Sequence, residues 1–167
     1  VLYIPCSNAR ALNKAKTLRV DAIIFDLEDA VTIEQKANAR ALLAETLHAG
    51  GYGTREQIVR INGLDTPWAE ADLDVLSEVA PEAIVLPKVN SAKDIEVLAA
   101  KLDARPETSQ TMIWAMMETP LGILNAAEIA AAPRMAGLVL GTNDLAMDLG
   151  SRTRPDREPL LMALQLC

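Results

Sequence analysis

Two carboxylates, Glu118 and Asp144, each follow an apolar run that is typical of a buried β-strand. The first run, MIWAMMET, delivers Glu118, and the second, GLVLGTND, delivers Asp144; residues 121–132 between them have helical spacing. If the two strands are parallel neighbours, their carboxyl ends lie on the same edge of the sheet and the two carboxylates converge. Two such groups repel unless they share a proton or bind a cation. Ligation by two carboxylates, with room for water, favours Mg2+.

Polar side chains also end three other predicted strands. These are Asp26, Arg60 and Lys88, with strands predicted at residues 20–27, 58–61 and 83–86. In a barrel all strand ends meet at one mouth, whereas an open sheet gathers only the ends near its switch point. The barrel is therefore favoured, because it brings all five polar strand ends together.

The elements that must position these residues alternate regularly along the chain. Strand-length apolar runs are followed by helical stretches, predicted at residues 7–19, 32–49, 68–79, 91–102 and 121–132. This alternation predicts an α/β fold with a parallel sheet. A TIM (β/α)8 barrel needs eight strand-helix units and the sequence supplies about six. We therefore expect residues 1–167 to form a single, incomplete TIM-barrel domain.

Composition excludes several classes of function. The chain has 167 residues, is 50% hydrophobic and carries a net charge of -7, which is enough apolar content for a substantial core and argues against nucleic-acid or anionic-membrane binding. It has two cysteines and one histidine, so neither a zinc site nor a disulfide framework is expected. No apolar run is long enough to span a bilayer, and a cytoplasmic location is expected.

Six stretches, taken in order, carry a family resemblance. They are VLYIPCSNARAL, DAIIFDLEDAV followed by Lys36 and Arg40, IVRINGLDTPW, AIVLPKVNSAKDI, MIWAMMETPLGILNAAEIA and GLVLGTNDLAMDLG. Together they resemble the citrate lyase beta-subunit-like branch of the HpcH/HpaI aldolase family. That branch includes malyl-CoA, citramalyl-CoA and citryl-CoA lyases, and the resemblance covers nearly the whole chain.

The resemblance implies a TIM barrel and a set of site residues. Glu118 and Asp144 match the residues that hold Mg2+ in the family, and Arg60 matches the arginine that binds the carboxylate and carbonyl end of the substrate. A weaker match concerns the CoA portion. The residues that match there are Tyr3, Arg10 and Lys14.

Two departures from the family pattern accompany the resemblance. Cys6 stands where a glycine commonly follows the proline, and its side chain is expected to narrow the approach to the nucleotide. The family also continues past the position of Cys167, through the remaining barrel strands and a C-terminal lid segment. That segment supplies an acid/base aspartate from a neighbouring subunit, so we expect this chain to be a truncated copy.

The implied reaction is cleavage of a short 3-hydroxyacyl-CoA into an acyl-CoA and a 2-oxo acid. Arg60 offers a bidentate fork to the substrate carboxylate. Backbone N–H groups at Gly141 and Thr142 are expected to donate to the substrate, and Lys88 is expected to line the site. Asp26 is a candidate for the proton transfer, although orientation of Arg60 or of a metal-bound water carries more weight.

Other interpretations remain open at this point. A thioesterase acting on malyl-CoA would use the same site, and a non-catalytic remnant or assembly module would need no active site at all. The alternative role for Asp144 is to cap a short helix that follows it. Homo-oligomerisation is expected, because incomplete barrels expose strand edges and apolar faces.

Overall fold

A computed structural model describes residues 1–152 and 154–167, and six short strands lie within them. The strands are β1 (Leu2–Pro5), β2 (Ala22–Asp26), β3 (Glu56–Arg60), β4 (Ala83–Leu86), β5 (Met112–Met117) and β6 (Met135–Leu140). Their order in the sheet follows their order in the chain. Sequential order with a helical segment after each strand is the pattern that the sequence predicts for an α/β fold.

Helices occupy most of the connections between strands. They are α1 (Ala9–Ala15), α2 (Lys36–Ala49), α3 (Ala69–Val79), α4 (Ala92–Asp103), α5 (Pro120–Leu124), α6 (Ala126–Ala130), α7 (Thr142–Asp148) and α8 (Leu161–Leu166). Short 3-10 turns lie at Ile33–Gln35, Pro106–Thr108 and Glu158–Leu160. None of the described helices has the length and apolar character that crossing a bilayer requires.

The chain divides into two compact units. The first comprises residues 1–85 and 102–111, and the second comprises residues 86–101 and 112–167. In the first unit β1, β2 and β3 pair in parallel, with Asp26 directly opposite Arg60. In the second unit β5 pairs in parallel with β6, and Met117 lies opposite Leu140.

The core of the first unit is built around β2. All five residues of this strand are buried, as expected for a parallel strand covered on both faces. Phe25 meets the ring of Tyr52 edge to face, with 5.1 Å between centroids. The Tyr52 hydroxyl donates to the carbonyl oxygen of Leu12 at 2.9 Å, so the one polar atom of this buried ring is paired.

The predicted helix at residues 32–49 begins later than the sequence indicates. Thr32 makes no side-chain capping bond, and a 3-10 turn precedes α2, which starts at Lys36. The predicted end is confirmed, because Gly50 follows α2 with a φ of 61°. Glycine adopts this left-handed conformation without steric cost, which is why it commonly ends helices.

The prediction of one continuous helix over residues 121–132 is wrong. Two short helices, α5 and α6, meet at Asn125. Asn125 has a φ of -98° and a ψ of 12°, and its Nδ2 donates to the carbonyl oxygen of Asn90 at 2.8 Å. The break thus lies where a side chain bonds to a loop 35 residues away, a contact that residue spacing alone does not reveal.

Candidate active site

Arg60 is the last residue of β3 in the first unit, and its guanidinium group pairs with the carboxylates of Asp26 and Glu28. The strand register places Asp26 beside it, and Arg60 Nε donates to Asp26 Oδ1 at 2.8 Å while Nη2 donates to Oδ2. Arg60 Nη1 lies 2.9 Å from Glu28 Oε2. All three residues are buried, with 1 to 8% of their surface exposed. The bidentate pairing fixes the plane of the guanidinium group.

The charge of Arg60 is strongly favoured in this setting. Burial alone lowers the pKa of the guanidinium group, but the hydrogen bonds and charge of Asp26, together with the charges of Glu28 and Asp29, raise it above its ordinary value. The guanidinium carbon also lies 5.4 Å from the ring centroid of Tyr3. Arg60 is therefore a fixed cation at the end of its strand.

The hydrogen bonds of Asp26 bear on its predicted roles, which are proton transfer and the orientation of Arg60 or of a metal-bound water. Both carboxylate oxygens accept hydrogen bonds from Arg60, and Oδ1 also accepts from the backbone N–H of Glu28 at 2.8 Å. A carboxylate occupied in this way is better suited to orienting Arg60 than to accepting a proton.

Sequence reasoning missed a polar network behind Arg60. Lys36 Nζ donates to the carbonyl oxygens of Leu27 and Glu28 and to Asn62 Oδ1. The backbone N–H and Nδ2 of Asn62 donate in turn to Asp72 Oδ2, at 2.9 and 2.6 Å. Lys36 belongs to the motif noted above, but a lysine near a helix start is more often exposed, and that pattern concealed its burial.

In the second unit, Glu118 directly follows β5 and is only 2% exposed. Its Oε1 accepts the backbone N–H of Lys88 at 2.8 Å. Lys88 has a φ of 53°, which is uncommon for a residue with a side chain and carries a steric cost. The Lys88 side chain is exposed, and it is the backbone N–H that meets Glu118.

Gly141 lies against the carboxylate of Glu118. A Cβ added at Gly141 would lie 2.5 Å from Glu118 Oε2 and 2.6 Å from Glu118 Cβ, closer than any real contact. The φ of Gly141 is -90°, so space and not backbone strain requires a glycine here. Its N–H donates to the carbonyl oxygen of Met117 at 3.2 Å, and its donation to the substrate stays a prediction.

Asp144 lies in the first turn of α7, which begins at Thr142. The capping interpretation of Asp144 is wrong, because Gly141 occupies the cap position. Gly141 contacts Glu118 and lies three residues before Asp144. Asp144 therefore follows this contact by about one helical turn. Thr142, the first residue of α7, lies between Gly141 and Asp144 in the chain.

The donor set of this second unit fits a hard cation. Both candidate ligands are carboxylates, and Gly141 has no side chain that would crowd Glu118 Oε2. Across residues 1–152 and 154–167, no group of three or more His, Cys, Asp or Glu residues could hold a metal ion. A cation held by two carboxylates would keep coordination positions for water or substrate oxygens, as Mg2+ typically does.

The residues matched to the CoA portion lie on β1 and α1. Tyr3 is 39% exposed, and Arg10 and Lys14 are exposed and four residues apart on α1, which places them on one helix face. Cys6 is fully buried, and burial raises the pKa of its thiol well above the usual value, with the charges of Asp26 and Asp72 adding to the shift. Its side chain faces the core, so the prediction that it narrows an open approach is wrong.

Comparison with known proteins identifies the family. The family described as HpcH/HpaI aldolase/citrate lyase matches residues 1–166. The (3S)-malyl-CoA thioesterase of Cereibacter sphaeroides (strain ATCC 17029 / ATH 2.4.9) is 56% identical over 167 residues, which is all of this chain and 56% of the thioesterase. The chain thus spans little more than half the length of this curated relative.

Solved structures show the same fold. The citrate lyase beta subunit from M. tuberculosis, complexed with oxaloacetate and magnesium, is 30% identical with a TM-score of 0.79, and the match covers 99% of this chain and 70% of that one. The protein CitE from Mycobacterium tuberculosis, in complex with magnesium, acetoacetate and coenzyme A, is 30% identical with a TM-score of 0.76 over 99% of this chain and 60% of that one.

These matches confirm the expected α/β fold of TIM-barrel type, with six parallel strands present. The six sequence motifs fall within the matched residues. They contain Arg60 at the end of β3, Glu118 after β5 and Asp144 in α7. The chain therefore belongs to the HpcH/HpaI aldolase/citrate lyase family.

Proposed function

We propose that this protein is a Mg2+-dependent carbon-carbon lyase acting on short 3-hydroxyacyl-CoA esters of the malyl-CoA, citramalyl-CoA or citryl-CoA type. The products are an acyl-CoA and a 2-oxo acid. The observation that carries the proposal is the contact of buried Glu118 with Gly141, one turn before Asp144. Relatives crystallised with magnesium and an oxo acid support it.

Glu118 and Asp144 are the residues that would hold the metal. Bound Mg2+ supplies Lewis-acid polarisation of a substrate oxygen and a template for its orientation. The Lys88 N–H fixes one oxygen of Glu118, so the other oxygen keeps a defined direction. Gly141, Thr142 and Lys88 are further candidate substrate contacts.

Arg60 is proposed to bind the substrate carboxylate and the adjacent carbonyl. Asp26 and Glu28 hold the guanidinium group in one plane, so little side-chain freedom is lost when a carboxylate binds. Lysine would supply charge without a planar fork. Asp26 is retained as a candidate for proton transfer, with orientation of Arg60 as its main role.

The CoA portion is proposed to bind near Tyr3, Arg10 and Lys14. The two cations lie on one exposed helix face, where they would meet phosphate groups without a desolvation cost. The complex of CitE with coenzyme A supports CoA as a ligand of this group of proteins.

Thioester hydrolysis is the second candidate function. It is favoured by the 56% identity to a (3S)-malyl-CoA thioesterase, which exceeds the 30% identity to the citrate lyase beta subunit structure. In that reaction water attacks the thioester carbonyl, CoA leaves as the thiol, and malate is the second product.

The products formed from malyl-CoA separate the two candidates. With Mg2+ present, cleavage gives acetyl-CoA and glyoxylate, whereas hydrolysis gives free CoA and malate. Glyoxylate formation supports the lyase, and free thiol without glyoxylate supports the thioesterase. A folded chain that forms neither product contradicts both proposals and favours a non-catalytic remnant or assembly module.

Calorimetric titration with Mg2+ tests the proposed ligands directly. Glu118→Gln and Asp144→Asn are each expected to lower the affinity by a factor of about 10 or more, because each removes one of two charged ligands. Asp148→Asn is the matched control, since Asp148 is exposed on the same helix α7. Equal affinities for all four proteins would contradict the assignment.

A further inference from the structure

Lys36 is a buried lysine whose three N–H donors all have acceptors. Its Nζ lies 2.8 Å from the carbonyl oxygens of Leu27 and Glu28 and 2.6 Å from Asn62 Oδ1. The residue is 6% exposed, and the ammonium group lies 5.2 Å from the ring centroid of Trp68. An ammonium group has no further hydrogen bond to give, so its geometry here is fully determined.

The acceptors of Lys36 belong to the two segments that surround Arg60. Leu27 and Glu28 directly follow Asp26, and the Glu28 carboxylate pairs with Arg60 Nη1 at 2.9 Å. The backbone N–H of Leu27 donates to the carbonyl oxygen of Arg60 at 2.9 Å. One ammonium group therefore ties the segment after β2 to the segment after β3.

Keeping a charged group in this position has a cost. Burial lowers the pKa of the Lys36 ammonium group, and the charges of Asp72, Glu28, Asp26 and Asp29 oppose this shift without cancelling it. An apolar residue would avoid the desolvation cost, but Asn62 Oδ1 would lose the ammonium donor, and the carbonyl oxygens of Leu27 and Glu28 would keep only the weaker donors Asn62 Nδ2 and the Val31 N–H. Lysine is suited to this position because its three converging donors reach Asn62 and the backbone of residues 27–28 together.

We propose that Lys36 is a positioning residue for Arg60, which holds the Asp26 and Glu28 carboxylates against the guanidinium group by clamping the backbone that carries them. Its consequence for substrate binding rests on the proposed function. Lys36 touches no reacting atom in this scheme. It acts through Glu28 and through the backbone at residues 27–28.

The orientation of Arg60 is measurable without any substrate. In the 15N-labelled full chain, NMR reports the solvent exchange rate of the Arg60 Nε–H, which donates to Asp26 Oδ1. Lys36→Met has similar length but no donors, and it is expected to raise this rate by about tenfold because the bonds that join Asn62 to the backbone of residues 27–28 through the ammonium group are lost.

Arg40→Met is the matched control. Arg40 Nη1 pairs with Asp72 Oδ1 at 3.0 Å, so it belongs to the same network. In the part of the chain that the structure describes, its recorded partner is Asp72 and not residues 26–28. The control is expected to raise the Arg60 exchange rate less than Lys36→Met does, because Asp72 and Asn62 separate Arg40 from Lys36 in the network.

If Lys36→Met does not fold, Lys36→Arg takes its place. It keeps the positive charge but spreads its donors over a planar fork, so the exchange rate is expected to rise by about threefold. An unchanged rate in the folded variant, or an equal rise in Arg40→Met, would overturn the proposal.

A kinetic measurement adds the functional consequence. With malyl-CoA as substrate, Lys36→Met is expected to raise KM more than it lowers kcat, because a misplaced Arg60 loses ground-state and transition-state binding together. A wild-type chain that forms no product counts against the proposed function, while the exchange rate still decides the positioning role. An unchanged KM in an active, folded Lys36→Met protein counts against the positioning role.

Discussion

Gly141 shows how one missing side chain shapes the candidate metal site. Alanine at this position would place a Cβ 2.5 Å from Glu118 Oε2, so the carboxylate would have to move. We expect Gly141→Ala to lower Mg2+ affinity by a factor of about 10 or more and stability by roughly 1–3 kcal/mol. Calorimetric Mg2+ titration and urea denaturation measure the two effects.

Gly150→Ala separates the effect on the metal from a general loss of stability. A Cβ at Gly150 would have no neighbour within 4 Å, but its φ of 60° makes alanine strained. We expect a stability loss of about 1–2 kcal/mol with unchanged Mg2+ affinity. Wild-type Mg2+ affinity in Gly141→Ala would show that Glu118 does not depend on this glycine.

At the scale of elements, the Tyr52 ring joins α1 to the loop after α2 through its bond to the Leu12 carbonyl. Burial, with a contribution from Cys6, raises the pKa of Tyr52 to about 12. An unfolded tyrosine titrates near 10, so between about pH 10 and 12 the folded state keeps a proton that the unfolded state releases. Stability therefore falls as pH rises through this window.

In Tyr52→Phe, the free energy of unfolding is expected to fall less steeply between about pH 10 and 12. At neutral pH it is expected to be about 1 kcal/mol lower than in wild type, because the hydrogen bond is lost. Urea denaturation at several pH values measures both effects. Tyr3→Phe is the control, because Tyr3 is 39% exposed and its substitution should leave the decline in place. A decline of the same slope in Tyr52→Phe would refute the assignment.

Close packing also fixes the start of α5. A Cβ at Gly122 would lie 2.2 Å from the carbonyl oxygen of Val89, and backbone cannot yield as a flexible side chain can. We expect Gly122→Ala to lower the free energy of unfolding by roughly 1–3 kcal/mol. Urea denaturation measures this, with Leu121→Ala as a neighbouring control on the exposed face. Equal stabilities of the two variants would contradict the packing argument.

At the scale of the whole molecule, the second unit exposes several large apolar side chains. Leu124, Met147 and Met162 are 72 to 75% exposed, and Leu149 is 46% exposed. Exposed apolar surface of this kind favours association, which agrees in direction with the oligomer that the sequence predicts. The oligomeric state stays a prediction.

We expect the average mass from light scattering to rise with protein concentration, and Leu124→Lys combined with Met162→Lys to weaken that rise. Ile33→Lys is the matched control, because Ile33 is 65% exposed but lies in the first unit. A monomeric mass at every concentration, or an equal effect of the control, would refute the role of this surface.

The sequence by itself determined the alternation of strands and helices and the positions of Asp26, Arg60 and Glu118 at strand ends. These features depend on the spacing of apolar residues over short stretches, which can be read from consecutive positions in the sequence. The strand Ala83–Leu86 was predicted with its observed bounds for the same reason.

Only the tertiary structure decided which groups those side chains meet. Lys36 Nζ reaches Asn62 across 26 residues, and the Lys88 N–H reaches Glu118 across 30. Asn125 at the break between α5 and α6 bonds to Asn90, and the N–H of Gly141 bonds to Met117. Both partners come from other parts of the chain. Residue spacing specifies which face a side chain occupies, but hydrogen-bond partners at long sequence separation are fixed only when the elements pack.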